Sequence, residues 1–175
     1  MELFDKARIF ATAAHAAVAQ LRKYTGEPYW VHPAEVVSIV MTVPHTDAML
    51  AAAWLHDVVE DTGVTIETIR AEFGQEVAEL VGWLTDVSRP DQGNRAVRKA
   101  IDRAHSAAAP AEAQTIKYAD LISNTRSIAE HDPDFAKTYL KEKQLLLEVM
   151  TKGDPELYKQ AQASCMDLAL SGVRK

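Results

Sequence analysis

The sequence predicts an all-α fold, and three observations carry that expectation. Apolar residues recur at helical spacing through most of the chain. No segment alternates apolar and polar residues as a half-buried strand would. Proline, glycine and capping residues cut the helical stretches into short pieces, too interrupted for a plain up-and-down bundle. At 175 residues the chain suffices for one core and is short for two, so a single domain over residues 1–175 is expected.

Each element follows from local signals. Residues 3–22 are alanine-rich, with Phe4, Ile9, Phe10 and Val18 at helical spacing. Pro33 suits the first turn of a second helix carrying Val36, Val37, Val40 and Val43, which stops near Pro44. Thr46 or Asp47 caps a third helix expected to run to Val59 or a little beyond, with Gly63 at its exit. A short helix over Ile66 to Phe73 ends at Gly74, and the next carries Val77, Leu80, Val81 and Leu84 on one stripe. Residues 87–94, Val-Ser-Arg-Pro-Asp-Gln-Gly-Asn, form the clearest loop. A helix over about 95–108 follows, Pro110 opens a long one to about Glu130, another spans Asp134 to Met150, and Gly153-Asp154-Pro155 introduces the last.

Composition narrows the functions. Cys165 is the sole cysteine, which excludes an intrachain disulfide and a thiolate zinc cluster, so a bound metal would need nitrogen and oxygen ligands. A net charge of −6 argues against general nucleic-acid binding, although a few cations gathered in one pocket suffice for a small phosphorylated substrate. No apolar run approaches the ~20 residues of a membrane span, and the N-terminus lacks a signal-peptide layout, so the cytoplasm is the expected location and no membrane partner is expected.

The most informative segment is His56-Asp57-Val58-Val59-Glu60-Asp61. On a continuous helix His56 lies above Glu60 and Asp57 above Asp61, so four ionisable groups would share one face of a largely buried helix. Imidazole with carboxylate suits a divalent ion such as Mn²⁺, Fe²⁺ or Zn²⁺. Spacing alone does not bring His32 or Asp120 to that face, and a helix histidine beside a solvated carboxylate is the plain alternative. His131-Asp132 is a control within the chain: Pro133 follows it, so it reads as a helix terminus. His15, His45 and His105 read as isolated surface or packing residues, Trp30, Trp54 and Trp83 as core, and Tyr139, Lys141 and Lys143 as a solvated helix face.

His32, His56-Asp57 and Asp120 reproduce the H…HD…D order of the HD-domain metal-dependent phosphohydrolases. The finer resemblance is to the hydrolase domain of the RelA/SpoT-type alarmone enzymes and the stand-alone small alarmone hydrolases. Four stretches carry it: Arg22 to Pro33; Ala53 to Thr62; Phe73-Gly74 with Val77, Leu80-Val81 and Leu84-Thr85-Asp86; and Lys117-Tyr118-Ala119-Asp120 with Asn124 and Arg126. The resemblance implies an all-helical HD-domain bundle in which His32, His56, Asp57 and Asp120 bind Mn²⁺, while Glu60 and Asp61 position and deprotonate water. It implies a guanosine 5′-di- or triphosphate carrying a 3′-diphosphate as substrate, hydrolysed to pyrophosphate and GDP or GTP. Arg22 and Lys23 resemble the family's basic pair, Asn124 its nucleotide-contacting asparagine and Tyr139 a tyrosine near the ribose. Meeting the substrate's charge calls for cations drawn from Arg22, Lys23, Lys117 and Arg126.

The sequence departs from the family in two places. Leu121 follows Asp120 where a basic residue is usual, with Ile122-Ser123 before Asn124, and the loop from Arg22 to His32 is one residue longer. Base identity and the choice between Arg22 and Lys23 therefore stay open. Synthetase and regulatory domains do not fit within 175 residues, which implies a hydrolase-only protein. The competing readings are an adenosine-alarmone pyrophosphohydrolase, a general HD nucleotide phosphohydrolase, and a non-enzymatic module that senses a nucleotide.

Overall fold

A computed structural model describes residues 2–171, with side chains to 166. The described residues form helices and loops, with no strand beyond an isolated antiparallel bridge between Leu21 and Pro28. The chain divides into two compact units, Met1–Thr85 and Asp86–Lys175.

The first unit is built around α3. Its helices are α1 (Leu3–Ala17), α2 (Val31–Val40), α3 (Asp47–Leu55), α4 (Val58–Asp61), α5 (Ile66–Phe73) and α6 (Gln75–Leu84). Every residue of α3 from Ala48 to Leu55 is buried, as a helix apolar on all sides must be. Ala51, Ala52 and Ala53 let α1, α2 and α6 approach it closely. Thr46 caps α3 by accepting from Met49 N at 3.2 Å, and Phe4 meets the Trp54 ring edge-on at 6.2 Å.

α2 ends at Val40, short of the expected Val43, and two other sequence-expected boundaries that differ lie beside the functional residues. α1 stops at Ala17, not residue 22, in a left-handed turn: Ala19 N donates to Ala16 O at 3.0 Å and Gln20 N to His15 O at 3.1 Å, with Ala19 at φ 52°. α3 stops at Leu55 and does not run on to Val59. His56 Nδ1 turns back on Ala53 O at 2.8 Å, and Asp57 sits at φ −98°, ψ −6° before the single turn of α4. The break falls on the His-Asp pair itself.

The second unit holds a 3₁₀ turn (Pro90–Gln92) and helices α7 (Arg95–Ala108), α8 (Ala111–His131), α9 (Pro133–Val149) and α10 (Pro155–Ser171). α8 packs against both α9 and α10, which accounts for its long run of buried residues. Asp102 ties the loop to α7, accepting from Val87 N at 3.1 Å, Ser88 N at 2.8 Å and Ser88 Oγ at 2.9 Å. Gly153 lets the chain cross α8, since a Cβ there would lie 2.5 Å from the Tyr118 ring.

Candidate functional site

In the first unit the structure brings His32, from the first turn of α2, against His56 and Asp57 at the break after α3. His56 Nε2 lies 3.3 Å from His32 Nε2 and 3.1 Å from Asp57 Oδ2; His32 Nε2 lies 3.6 Å from the same oxygen. Both imidazoles are 1 % exposed. Because His56 Nδ1 faces the Ala53 carbonyl, the proton resides on Nδ1 and the Nε2 lone pair is left to face the cluster. Three donors held about 2.1 Å from one ion stand roughly 3.0–3.5 Å apart at bond angles from octahedral to a little beyond tetrahedral, so the observed spacings fit a divalent ion. No thiolate is present, and the nitrogen and oxygen set suits a transition metal of intermediate hardness.

Three residues that the sequence left aside surround the cluster. The Tyr29 hydroxyl donates to Asp57 Oδ2 at 2.5 Å, and its ring lies against His15 at 4.6 Å and edge-on to His32 at 5.9 Å. His15 is buried, not a surface residue, and its Nδ1 lies 2.7 Å from Gln20 Oε1. Gln20 Nε2 in turn donates to Asp61 Oδ2 at 2.8 Å. Burial holds the His15 imidazole below its ordinary range; the Gln20 hydrogen bond and the Asp57 and Asp61 charges oppose that shift without cancelling it. Glu60 and Asp61 occupy the turn after Asp57, but both are exposed. The expected continuous column of four buried ionisable groups is therefore replaced by a buried His56, a part-buried Asp57 and an exposed pair.

Arg22 and Lys23 start the turn that follows Leu21, closed by Arg22 N to Glu27 O at 2.8 Å. Arg22 is half-buried; Lys23 is exposed, with its amine on the Tyr24 hydroxyl at 3.2 Å and 4.7 Å from the Tyr24 ring centre. Trp30 is 42 % exposed and so does not belong to the core.

In the second unit Lys117, Asp120 and Asn124 form one stripe of α8. Lys117 Nζ lies 3.4 Å from Asp120 Oδ2, and Asn124 Nδ2 donates to Asp120 Oδ1 at 2.6 Å. Tyr139 on α9 is buried rather than solvated, its hydroxyl near Thr125 but making no hydrogen bond of good geometry. Burial and the nearby Asp120 charge push that phenol well above its ordinary range. Lys143 also turns inward, its amine 5.0 Å from the Tyr139 ring centre, whereas Lys141 is exposed. Desolvation, then Lys117 and Lys99, push the Lys143 ammonium below its ordinary range, against the pull of Asp120 and Asp86. Desolvation opposes charge on Asp86, but Lys117, Lys99 and Lys143 outweigh it and hold that carboxyl low; Lys99 lies 2.7 Å from it. The ammonium groups of Lys99, Lys117 and Lys143 thus face Asp86 and Asp120, and Lys99 also lies 3.7 Å from Asp102.

Arg126 does not join this stripe. Nine residues at about 100° each place it roughly half a revolution around α8 from Lys117, and it lines an open depression with Thr125, Ala129, Glu130 and Ser164. Leu121 is 1 % exposed, so the residue after Asp120 packs into the core. His131 ends α8 and Asp132 caps α9 by accepting from Phe135 N at 3.2 Å, which makes that second His-Asp pair a helix junction.

A Synechocystis protein named probable guanosine-3′,5′-bis(diphosphate) 3′-pyrophosphohydrolase is 34% identical over 143 residues, 80% of this chain and 18% of its own length. A Mycobacterium leprae protein named probable GTP pyrophosphokinase is 37% identical over 128 residues, 73% of this chain and 16% of its own. The chain thus spans less than a fifth of those curated relatives. A metazoan ortholog of SpoT, described as hydrolysing ppGpp and acting in starvation responses, has a solved structure that superposes with a TM-score of 0.84, 25% identity and 97% coverage of both chains. The sequence pattern of the HD domain matches residues 7–147, most of the length, so this chain belongs to the HD domain family.

Proposed function

We propose that the chain is a Mn²⁺-dependent 3′-pyrophosphohydrolase acting on guanosine nucleotides with a 5′-di- or triphosphate and a 3′-diphosphate, releasing pyrophosphate and GDP or GTP. One observation carries the reading: His32, His56 and Asp57 gather three donors of the right type and spacing immediately before the carboxylates of Glu60 and Asp61. The names of the Synechocystis and metazoan relatives support the substrate class.

His32, His56 and Asp57 hold the ion in this proposal, with Asp120 as a fourth ligand carried over from the family pattern. A bound divalent ion supplies phosphoryl polarisation and a more acidic water. Glu60 and Asp61 orient a water whose oxygen bonds to the phosphorus next to the 3′ oxygen as the P–O3′ bond breaks; one of the two carboxylates takes the proton that the water loses, and the leaving 3′ oxygen takes a proton from solvent. Arg22, Lys23, Lys117 and Lys143 offset the phosphate charge, Asn124 contacts the nucleotide and Tyr139 packs near the ribose. Arg126 drops out of the substrate-binding set because its face of α8 is the wrong one. Residues 1–175 act as one hydrolase domain in the cytoplasm; no described helix is long and apolar enough to cross a membrane.

The second reading, an adenosine nucleotide with the same 3′-diphosphate, is kept open by Leu121, which stands where a basic residue is usual in the family. The deciding experiment incubates the protein and Mn²⁺ with guanosine and adenosine 3′-diphosphate nucleotides and separates products by ion exchange. Pyrophosphate release from the guanosine compounds is expected. A strong adenosine preference refutes the base assignment, and binding without turnover of either leaves a nucleotide sensor.

A further inference from the structure

The contacts around Asp61 form a chain with one direction. Asp61 is exposed, on the last residue of a one-turn helix, where a carboxylate samples several rotamers unless something holds it. Gln20 holds it, with Nε2 2.8 Å from Oδ2. An amide placed between a carboxylate and an imidazole has its orientation decided by the carboxylate, because Oε1 against Oδ2 would set two acceptors together. Oε1 therefore faces His15 Nδ1 at 2.7 Å, and that nitrogen must carry the proton. His15 Nε2 is buried with no hydrogen-bond partner, so a second proton there would have no acceptor. His15 is a neutral Nδ1–H donor, and its ring is fixed by the face of Tyr29 at 4.6 Å.

The backbone is bent to make this chain. Ala19 sits at φ 52°, in the left-handed region that alanine disfavours, and that turn presents the Gln20 side chain between α1 and α4.

We propose that His15 and Gln20 are positioning residues: His15 Nδ1–H fixes the Gln20 carboxamide, whose Nε2–H₂ fixes Asp61 toward the attacking water. This rests on the reading that Asp61 handles that water. Neither residue touches substrate, and no proton moves along the chain.

Steady-state kinetics with the 3′-diphosphate guanosine nucleotide, together with Mn²⁺ affinity, test it. Gln20→Ala lowers kcat about tenfold with KM and Mn²⁺ affinity unchanged. Gln20→Glu keeps the side-chain volume but aims an anion at Asp61, so it is worse than Gln20→Ala; a packing role predicts the opposite order. His15→Asn, whose amide nitrogen takes the place of Nδ1, recovers most of the activity lost in His15→Ala, and His15→Asp, which reverses the amide, does not. On an Asp61→Asn background Gln20→Ala costs nothing further. Gln20→Glu as active as Gln20→Ala, or a full tenfold cost on the damaged Asp61→Asn enzyme, overturns the chain alone. Near-normal turnover of Asp61→Asn overturns the role of Asp61 and the positioning role with it.

Discussion

Tyr29→Phe removes a single oxygen and tests whether the cluster binds metal as a tuned site. The lost atom is the hydroxyl that donates to Asp57 Oδ2 at 2.5 Å, the same oxygen that stands 3.1 Å from His56 Nε2. A hydroxyl donating to an ionised carboxylate makes a short and strong hydrogen bond. The ring remains against His15 at 4.6 Å and His32 at 5.9 Å, so packing is retained. Loss of a partner that orients a ligand costs about 10–100-fold in metal affinity, or roughly 1.4–2.7 kcal/mol. The assay is a Mn²⁺ titration following free ion by electron paramagnetic resonance, with circular dichroism and a urea midpoint as checks on the fold. Weakening of the Mn²⁺ Kd by that factor with an unchanged urea midpoint is expected. An unchanged or tighter Kd refutes the reasoning, because it would mean that the hydroxyl competes with the ion for Oδ2 instead of aiming it.

Ala19→Gly relieves the left-handed backbone at φ 52° and should stabilise the protein by about 0.5–1 kcal/mol, some 1–3 °C in Tm, with kcat unchanged; a lower Tm by calorimetry refutes it. His15 is held below its unfolded range, so the unfolded chain binds the proton first and stability is lost as pH falls below about 6.5; urea midpoints at pH 7 and 5.5 should fall further for the native protein than for His15→Asn, by at most about 1.4 kcal/mol per pH unit, and parallel falls refute it. Lys143→Gln should raise KM for the 3′-diphosphate substrate about tenfold while Lys137→Gln, exposed on the same helix, should not; equal KM values for both remove Lys143 from the phosphate-binding set.

What the sequence disclosed and what it hid have separate physical causes. The ends of α5, α7, α8 and α9 were legible because Gly74, Asn94, Pro110 and Asp132 with Pro133 mark them chemically. α1 was overextended because its left-handed terminus is occupied by Ala19, a residue that signals helix, where glycine would have signalled its end. The metal-binding residue types were legible through their order, but the break between α3 and α4 was not. It depends on the His56 side chain taking a backbone carbonyl, which no periodicity encodes. Lys143 and Tyr139 looked like a solvated face because their burial is supplied by the packing of α9 on α8, invisible at the level of spacing.

The break also explains how an apolar helix can deliver a polar site. α3 is buried on every side, where an ionisable group is costly unless it is paired, yet the imidazoles of His56 at its end and of His32 packed against it are 1 % exposed. The His56 turn resolves the conflict atom by atom. Nδ1 is satisfied by Ala53 O, which turns Nε2 toward His32 and Asp57, and Glu60 and Asp61 in the turn after Asp57 are exposed to water. A continuous helix would have kept the carboxylates in the same desolvated column as the ligands, where their charge is costly and a water molecule has no access. The gradient from buried His56 through part-buried Asp57 to exposed Glu60 and Asp61 within six residues, 56–61, gives each group the environment its role demands, and it leaves Asp61 in need of the external tether that Gln20 provides.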